Sequence, residues 1–144
     1  MIPSGADAQR IRVLVPGTGT RFRCGGLSVA LQTARLLSDL RPTQVVTYRE
    51  RSGTEPFLAD VLRAEPDTCQ GLWIVSWGFD VPALLRRLRG RAVLYQAHST
   101  GYGFDLPPGV PVVAVSRNTL GYWGHRAPRN PLFLLPNALE PQWF

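Results

Sequence analysis

Residues 11–40 read IRVLVPGTGTRFRCGGLSVALQTARLLSDL, and this stretch decides the fold. It begins with a short apolar, β-branched run at Ile11–Val15, passes through a glycine-rich connection and continues as a helical pattern over Gly26–Leu40. The apolar residues of that helix recur three and four positions apart, which places them on one face. They are Leu27, Ala30, Leu31, Ala34 and Leu37. A buried strand followed by an amphipathic helix is the repeating unit of α/β domains.

The rest of the chain repeats this alternation. Further apolar runs predict strands at Gln44–Tyr48, Leu72–Ser76, Ala92–Gln96, Pro111–Ser116 and Pro131–Leu135. Helical patterns lie between them at Glu55–Glu65, Val81–Leu88 and, more briefly, Asn118–Gly124. The runs are near-continuous rather than alternating, as in a parallel sheet covered on both faces. We therefore predict an α/β fold: after a tail of residues 1–10, residues 11–136 form a Rossmann-like three-layer domain with a parallel sheet of about six strands.

The composition fits one globular domain and excludes several enzyme classes. Of the 144 residues, 44% are hydrophobic and 18% charged, which suffices for a core without disulfides or a structural metal. The net charge is +6, and all 16 basic residues are arginines. Without lysine the chain cannot carry a Walker A phosphate loop, a Schiff-base aldolase site or a pyridoxal-phosphate site.

Neither a metal site nor a targeting segment is expected from the sequence. Cys24 and Cys69 lie far apart, and His98 and His125 have no ligand-type spacing to them or to each other. The N-terminus lacks the pattern of a signal peptide, and no apolar run is long enough to span a membrane. We therefore expect a cytoplasmic protein without a bound metal.

Two long connections, Pro16–Gly25 and Ala97–Gly109, follow the first and fourth predicted strands. Both exceed the usual length of a strand-to-helix loop. In a sheet of Rossmann order, which is our first choice here, these two strands are neighbours that flank the switch point. Ligands bind there, beyond the carboxyl ends of the strands. We therefore expect the two connections to form a binding site.

The first connection carries two candidate phosphate motifs. Gly17 and Gly19 begin a dinucleotide-binding pattern, but Phe22 stands where its third glycine belongs, which argues against a nicotinamide or flavin cofactor. Gly25 and Gly26 directly precede a long helix, whose free N–H groups and positive dipole end favour a phosphate. The alternative is that these glycines only fit a tight loop.

Arginines of the same connection add to the predicted anion site. We expect Arg23 to contact a diphosphate and Arg21 to contact an acidic acceptor group, because guanidinium groups bind such anions with two parallel hydrogen bonds. The alternative is that both arginines are simply solvated. Between the glycines and these arginines, Cys24 is expected to be a buried, inert thiol.

His98 is the predicted catalytic residue. It directly follows the fourth strand and would face the same crevice as the glycine pair. An imidazole with a near-neutral pKa can act there as a general base or hydrogen-bond a sugar hydroxyl. Trp77 and Tyr102 lie on neighbouring connections and are predicted to bind the acceptor, whereas Phe79 and Phe104 are predicted to pack in the core.

A basic stretch follows the third predicted helix. Arg86, Arg87, Arg89 and Arg91 lie on its outer side, where they suit anionic lipid headgroups or nucleic acid. A solvated helix face is the favoured interpretation. The charge of +6 is weak support for nucleic acid, and we expect no nucleic-acid partner.

Several segments resemble one known family. They are Ile11–Leu37, the strand that leads into His98, Val113–Thr119 and Leu134–Phe144. Together they resemble the amino-terminal domain of family-four-like glycosyltransferases of the GT-B fold. Phe22–Gly26, Ser76–Asp80 and Ser116–Gly124 are similar to a bacterial, notably cyanobacterial, subgroup of uncharacterised members. Within Leu134–Phe144, Ala138 replaces the glycine that is usual in the family, and Glu140 replaces the usual aspartate.

The resemblance implies a division of labour between two domains. In this family the chain's own domain would be the acceptor-side half, with Gly25 and Gly26 near the donor diphosphate and His98 beside the reacting sugar. Residues 137–144 would begin the linker to a second, donor-binding domain. The co-substrate would be a nucleotide-sugar, with no metal and no other cofactor, and alone this chain would be inactive.

The resemblance also implies the partners. The acceptor would be a saccharide or a lipid-linked molecule, and the protein would work in the cytoplasm at the inner face of the membrane through a peripheral contact. Two alternatives stay open: a stand-alone Rossmann-like binding or interaction module that uses residues 86–91 as its contact surface, and an NAD-dependent oxidoreductase.

Overall fold

The computed structural model describes residues 10–65, 71–100 and 102–137. The strands are β1 (Ile11–Val15), β2 (Thr43–Thr47), β3 (Leu72–Val75), β4 (Ala92–Ala97), β5 (Val112–Ala114) and β6 (Leu132–Leu134). The α-helices are α1 (Gly25–Ser38), α2 (Leu58–Ala64), α3 (Val81–Arg87) and α4 (Arg117–Arg126). Short 3-10 turns at Thr20–Phe22 and Gly78–Asp80 precede α1 and α3.

All six strands form one parallel sheet in the order β2-β1-β3-β4-β5-β6. The predicted three-layer α/β fold with about six parallel strands is confirmed. The predicted adjacency of the first and fourth strands is wrong, because β3 lies between β1 and β4. The first five strands follow the flavodoxin-like order instead, in which the switch point lies between β1 and β3.

The helices are distributed unequally over the two faces of the sheet. Val13 and Val15 of β1 pack with α1 on one face, and the alternate residue Leu14 joins the core under the other helices. That larger core contains Leu58 of α2, Leu84 of α3 and Trp123 of α4 among its members. One face is therefore covered by α1 and the other by α2, α3 and α4, as right-handed crossovers on either side of the switch point require.

The predicted elements are all present, with ends shifted by a few residues. The largest shift is at α2, which begins at Leu58 rather than at the predicted Glu55. The start of α4 moves to Arg117 because the Ser116 hydroxyl caps this helix by accepting a hydrogen bond from the Thr119 N–H at 3.1 Å. Within the described ranges no helix is long and apolar enough to cross a bilayer. The predicted tail and linker fall almost wholly outside the described residues.

Candidate functional site

The loops that leave β1, β3 and β4 converge at the carboxyl end of the sheet. We call the region formed by residues 16–26, 76–80, 98–100 and 102–104 the carboxyl-end crevice. The loops are in close contact: a Cβ on Gly26 would lie 3.8 Å from the Trp77 ring, and the rings of Phe79 and Tyr102 meet edge to face at 4.7 Å. The crevice coincides with the switch point of the sheet, where ligands of open α/β sheets bind.

Gly25 and Gly26 form the first turn of α1. Cys24 caps this helix, its Sγ accepting a hydrogen bond from the Leu27 N–H at 3.5 Å, and it is exposed rather than buried as predicted. The N–H groups of Gly25 and Gly26 have no acceptor within the described part of the chain. The positive end of a helix of 14 residues therefore opens into the crevice with two free donors.

The fold itself gives no reason for glycine at these two positions. Neither residue has a positive φ, a Cβ on Gly25 would meet nothing within 4 Å, and one on Gly26 would make ordinary contacts at 3.8 Å. Gly17 is different, because its Cβ would lie 2.6 Å from Cδ2 of the buried Phe22. Phe22 thus fills the space behind the first glycine of the dinucleotide-like pattern, and Gly17 serves internal packing.

The two arginines of this loop are both exposed but differ in their surroundings. Arg21 Nε lies 3.3 Å from Glu50 Oε2, and its guanidinium stacks on the Phe22 ring. The guanidinium of Arg23 makes no hydrogen bond or ion pair with any described residue, and only its backbone N–H is used, by the Thr20 carbonyl at 3.1 Å. Of the two predicted ligand-binding arginines, Arg23 is the one that is free to meet an anion beside the start of α1.

Trp77 and Tyr102, the predicted acceptor contacts, are both half-buried at the crevice. Trp77 packs against both hydrophobic cores of the domain. Tyr102 stacks on the buried Phe104, which confirms the core role predicted for Phe104. Both side chains therefore shape the wall of the crevice and show only part of their rings to solvent.

Phe79 departs from its prediction as a core residue, because 77% of its surface is exposed. It sits in the 3-10 turn Gly78–Asp80, whose Asp80 carboxylate accepts hydrogen bonds from the Tyr48 hydroxyl and from Arg49 Nη2, each at 2.6 Å. These two bonds hold the turn in place. A sequence signal existed, because an aromatic residue between a glycine and an aspartate suits an exposed turn better than a core.

His98 is half-buried at the end of β4. Its Nε2 atom is buried and has no hydrogen-bond partner within the described residues. Burial lowers the pKa of His98 below its ordinary value of 6.5. The imidazole is therefore neutral at pH 7 and offers a ring nitrogen that no described residue uses.

The structure brings most of the predicted site residues to one end of the sheet but changes their order. The loop of β3, with Trp77 and Phe79, lies between the glycine pair and His98, because β3 separates β1 from β4. A ligand that spans from Gly25 to His98 must therefore pass the aromatic residues of that loop. Among the described residues, no group of three or more metal-ligating side chains is positioned to hold a metal ion.

Two of the segments from which a glycosyltransferase-like domain was predicted, Phe22–Gly26 and Ser76–Asp80, lie in this crevice, and a third contains the Ser116 cap at the end of β5. Comparison with protein-family models, with curated proteins and with solved structures gave no match to this chain.

Proposed function

We propose that this chain is the acceptor-side domain of a GT-B-type glycosyltransferase, which moves a sugar from a nucleotide-sugar to an acceptor. The observation that carries the proposal is the glycine pair at the start of α1. Glycine is a poorer helix former than alanine, and neither φ nor packing within the described residues requires it at these two positions. A ligand that must approach the backbone closely accounts for them.

The chemistry of that ligand follows from the groups around the pair. Free N–H groups at a positive helix end, with the unpaired guanidinium of Arg23 nearby in sequence, are suited to a phosphate or diphosphate. In a glycosyl transfer the bond from the sugar to the diphosphate breaks, and negative charge grows on the leaving diphosphate. Donors already in place stabilise that charge in the transition state.

His98 supports the second half of the reaction. A neutral imidazole with an unused nitrogen can accept a hydrogen bond from a sugar or acceptor hydroxyl and take its proton as the new bond forms. Trp77 lies beside Gly26, and Tyr102 packs against Phe79 of the same loop, so both are candidates to contact a sugar ring. Arg21 is exposed and pairs with Glu50, and an acidic acceptor group would compete for it. The donor nucleotide would be held by a second domain, so that this domain alone binds the donor weakly.

The nicotinamide alternative has less support in the crevice. Its motif would begin at Gly17, and Phe22 packs into the space beside that glycine. Calorimetry on the chain separates the alternatives: we expect no tight binding of nucleotide-sugars or of NAD. Micromolar affinity of the isolated domain for a nucleotide-sugar would contradict the division of labour, and tight NAD binding would favour the oxidoreductase.

The glycine pair itself gives a direct test in a polypeptide that joins this chain to its donor-binding domain. We expect Gly25→Ala and Gly26→Ala to keep or raise thermal stability while lowering kcat/KM for the donor at least tenfold, or about 1.4 kcal/mol. The matched control is Gly121→Ala in α4, an exposed helical glycine whose Cβ would also meet nothing. It should raise stability without affecting turnover, and unchanged turnover in the Gly25 and Gly26 variants would refute the proposal.

His98 is tested in the same polypeptide. His98→Ala should lower kcat by about 100-fold or more, the usual effect of losing a general base. Near-normal turnover, with circular dichroism showing an intact fold, would remove His98 from the mechanism and leave the glycine test standing.

A further inference from the structure

A groove of about 710 Å³ lies at the opposite, amino end of the sheet. Its floor contains Leu72 and Val93 near the starts of β3 and β4. One wall is α3 with Leu85, and the other is the loop 105–111 that leads into β5. The lining is mainly apolar, and the volume of the groove falls in the range of sites that enclose one small molecule. We call it the amino-end groove.

The loop that forms one wall of the groove is held rigidly from behind. Asn130 is buried, and its Nδ2 donates hydrogen bonds to the carbonyl oxygens of Pro107 and Val110 at 2.8 and 2.9 Å. Arg126 donates to the carbonyl of Phe104 at 3.2 Å and pairs with Asp105 at 3.1 Å. Prolines at 107, 108 and 111 restrict the same loop further. The groove therefore exists before any ligand enters, which lowers the entropic cost of binding.

The rim of the groove is positively charged. Arg86 and Arg89 line it, are exposed, and have no side-chain hydrogen bond or ion pair with the described residues. Arg91 also lines the groove, but its Nη2 donates to the Glu65 carbonyl at 2.6 Å. Among the described residues that line the groove, Asp105 is the only acidic one, and it is already paired with Arg126. An apolar slot edged by two uncompensated guanidinium groups is complementary to a molecule with an alkyl body and an anionic end.

Arg87 is a matched comparison for the arginines at the rim. Cations near the carboxyl end of a helix are stabilised by its dipole, and this applies to Arg87 as much as to Arg86. Arg87 is also exposed but does not line the groove. The two arginines at the rim therefore differ from their neighbour in facing an apolar slot.

We propose that the amino-end groove binds a single-chain anionic amphiphile, with its alkyl chain against Leu85 and Val93 and its carboxylate or phosphate between Arg86 and Arg89. The proposal is independent of the function proposed for the carboxyl-end crevice. The proposed ligand is one monomeric molecule that enters the groove. Attraction of the basic surface to a membrane would be a different mode of binding, and the test below distinguishes the two.

The test uses laurate as the probe and the full chain as the protein. Calorimetry below the micelle concentration should show one laurate per chain, with dodecanol and dodecyltrimethylammonium binding at least about tenfold more weakly. Arg86→Glu and Arg89→Glu should each weaken laurate at least about tenfold. Arg87→Glu, which makes the same charge change on the same helix, should leave its affinity unchanged.

A second variant tests the apolar part of the groove. Ala92 is exposed and lines the groove at the start of β4, so Ala92→Trp should fill it and abolish laurate binding. If this variant does not fold, the three surface arginine variants still decide the question.

Several results would overturn the proposal. The first is that laurate does not bind, and the second is that dodecanol binds as tightly as laurate. The third is that the Arg86, Arg87 and Arg89 variants lose laurate affinity equally, which would indicate general charge attraction. Binding to vesicles of anionic phospholipid without binding of monomeric laurate would assign the basic surface to a membrane instead.

Discussion

The two ends of this parallel sheet offer opposite kinds of chemistry. At the carboxyl end, free backbone N–H groups of Gly25 and Gly26 and partly exposed aromatic rings line a crevice, and the buried Nε2 of His98 has no partner among the described residues. At the amino end, an apolar groove carries its polar groups at the rim, as arginine side chains. The direction of the strands explains the difference, because helices between parallel strands begin at one end of the sheet and finish at the other.

At both ends of the sheet a loop is nevertheless held in the same way, by hydrogen bonds from a polar side chain on the side of the loop away from the site. Asp80 holds the turn with Phe79 through Tyr48 and Arg49, and Asn130 holds the wall of the amino-end groove. Neither tether is itself proposed to touch a ligand. We therefore expect substitutions in these hydrogen-bonding groups to lower the free energy of unfolding and to displace the loops they hold. The following variants measure the loss at each end of the sheet.

Asn130→Ala should have the largest effect. It leaves two loop carbonyls without their donor and removes a buried side chain that is only 8% exposed, which we expect to cost about 3 kcal/mol of unfolding free energy. Urea unfolding of the purified chain measures the loss. Laurate affinity should fall with it if the wall shapes the proposed site, whereas a loss below about 0.5 kcal/mol would show that the wall holds without Asn130.

Gly78→Ala tests the packing of the crevice and should cost about 2 kcal/mol. A Cβ on Gly78 would lie 2.5 Å from Cδ2 and Cζ of Tyr102, and that ring is itself packed against Phe79 and Phe104. Gly53→Ala is the control, since its Cβ would meet nothing within 4 Å. Equal urea midpoints for the two variants would mean that the crevice repacks freely and is not a preformed site.

Sequence patterns predicted the layers and the strands better than the site, for physical reasons. Near-continuous apolar runs such as Ile11–Val15 mark a strand buried on both faces wherever it lies in the sheet. The order of strands leaves no such local mark, so the position of β3 between β1 and β4 was missed. That error placed His98 directly beside Gly25, whereas the loop of β3 lies between them.

Individual side chains at the crevice were predicted less well, because exposure depends on neighbours far away in sequence. Phe104 and Phe79 are both aromatic residues on loops, yet one is buried and the other 77% exposed. The difference comes from the turn that Tyr48 and Arg49 fix through Asp80. The amino-end groove was missed for the same reason, since its lining comes from segments as distant as Leu72 and Val110.

Tyr48→Phe should have a moderate effect at the carboxyl end, about 1 kcal/mol. Burial, followed by the hydrogen bond to Asp80, raises the pKa of Tyr48 far above its ordinary value, so the phenol is protonated and donates at all physiological pH values. Asp80 keeps its bond from Arg49, which limits the loss. The control is Arg63→Ala, which removes a surface ion pair and should change the urea midpoint little. Equal effects of the two variants would contradict the role of Asp80 as a tether.

The smallest expected effect is a dependence of stability on the protonation of His98. Burial lowers the pKa of His98 in the folded chain below 6.5, so the unfolded chain binds more protons between the two pKa values. The stability that the neutral imidazole contributes is therefore fully present above pH 6.5. It is lost as the pH falls from 6.5 toward the lower pKa of the folded chain.

Urea unfolding at pH 8 and at pH 5.5 should show a smaller loss of stability for His98→Gln than for the natural chain, because glutamine does not titrate. Identical losses would mean that His98 is as well solvated in the folded chain as in the unfolded one. The nitrogen proposed to receive the acceptor proton would then have no special environment at the carboxyl end of the sheet.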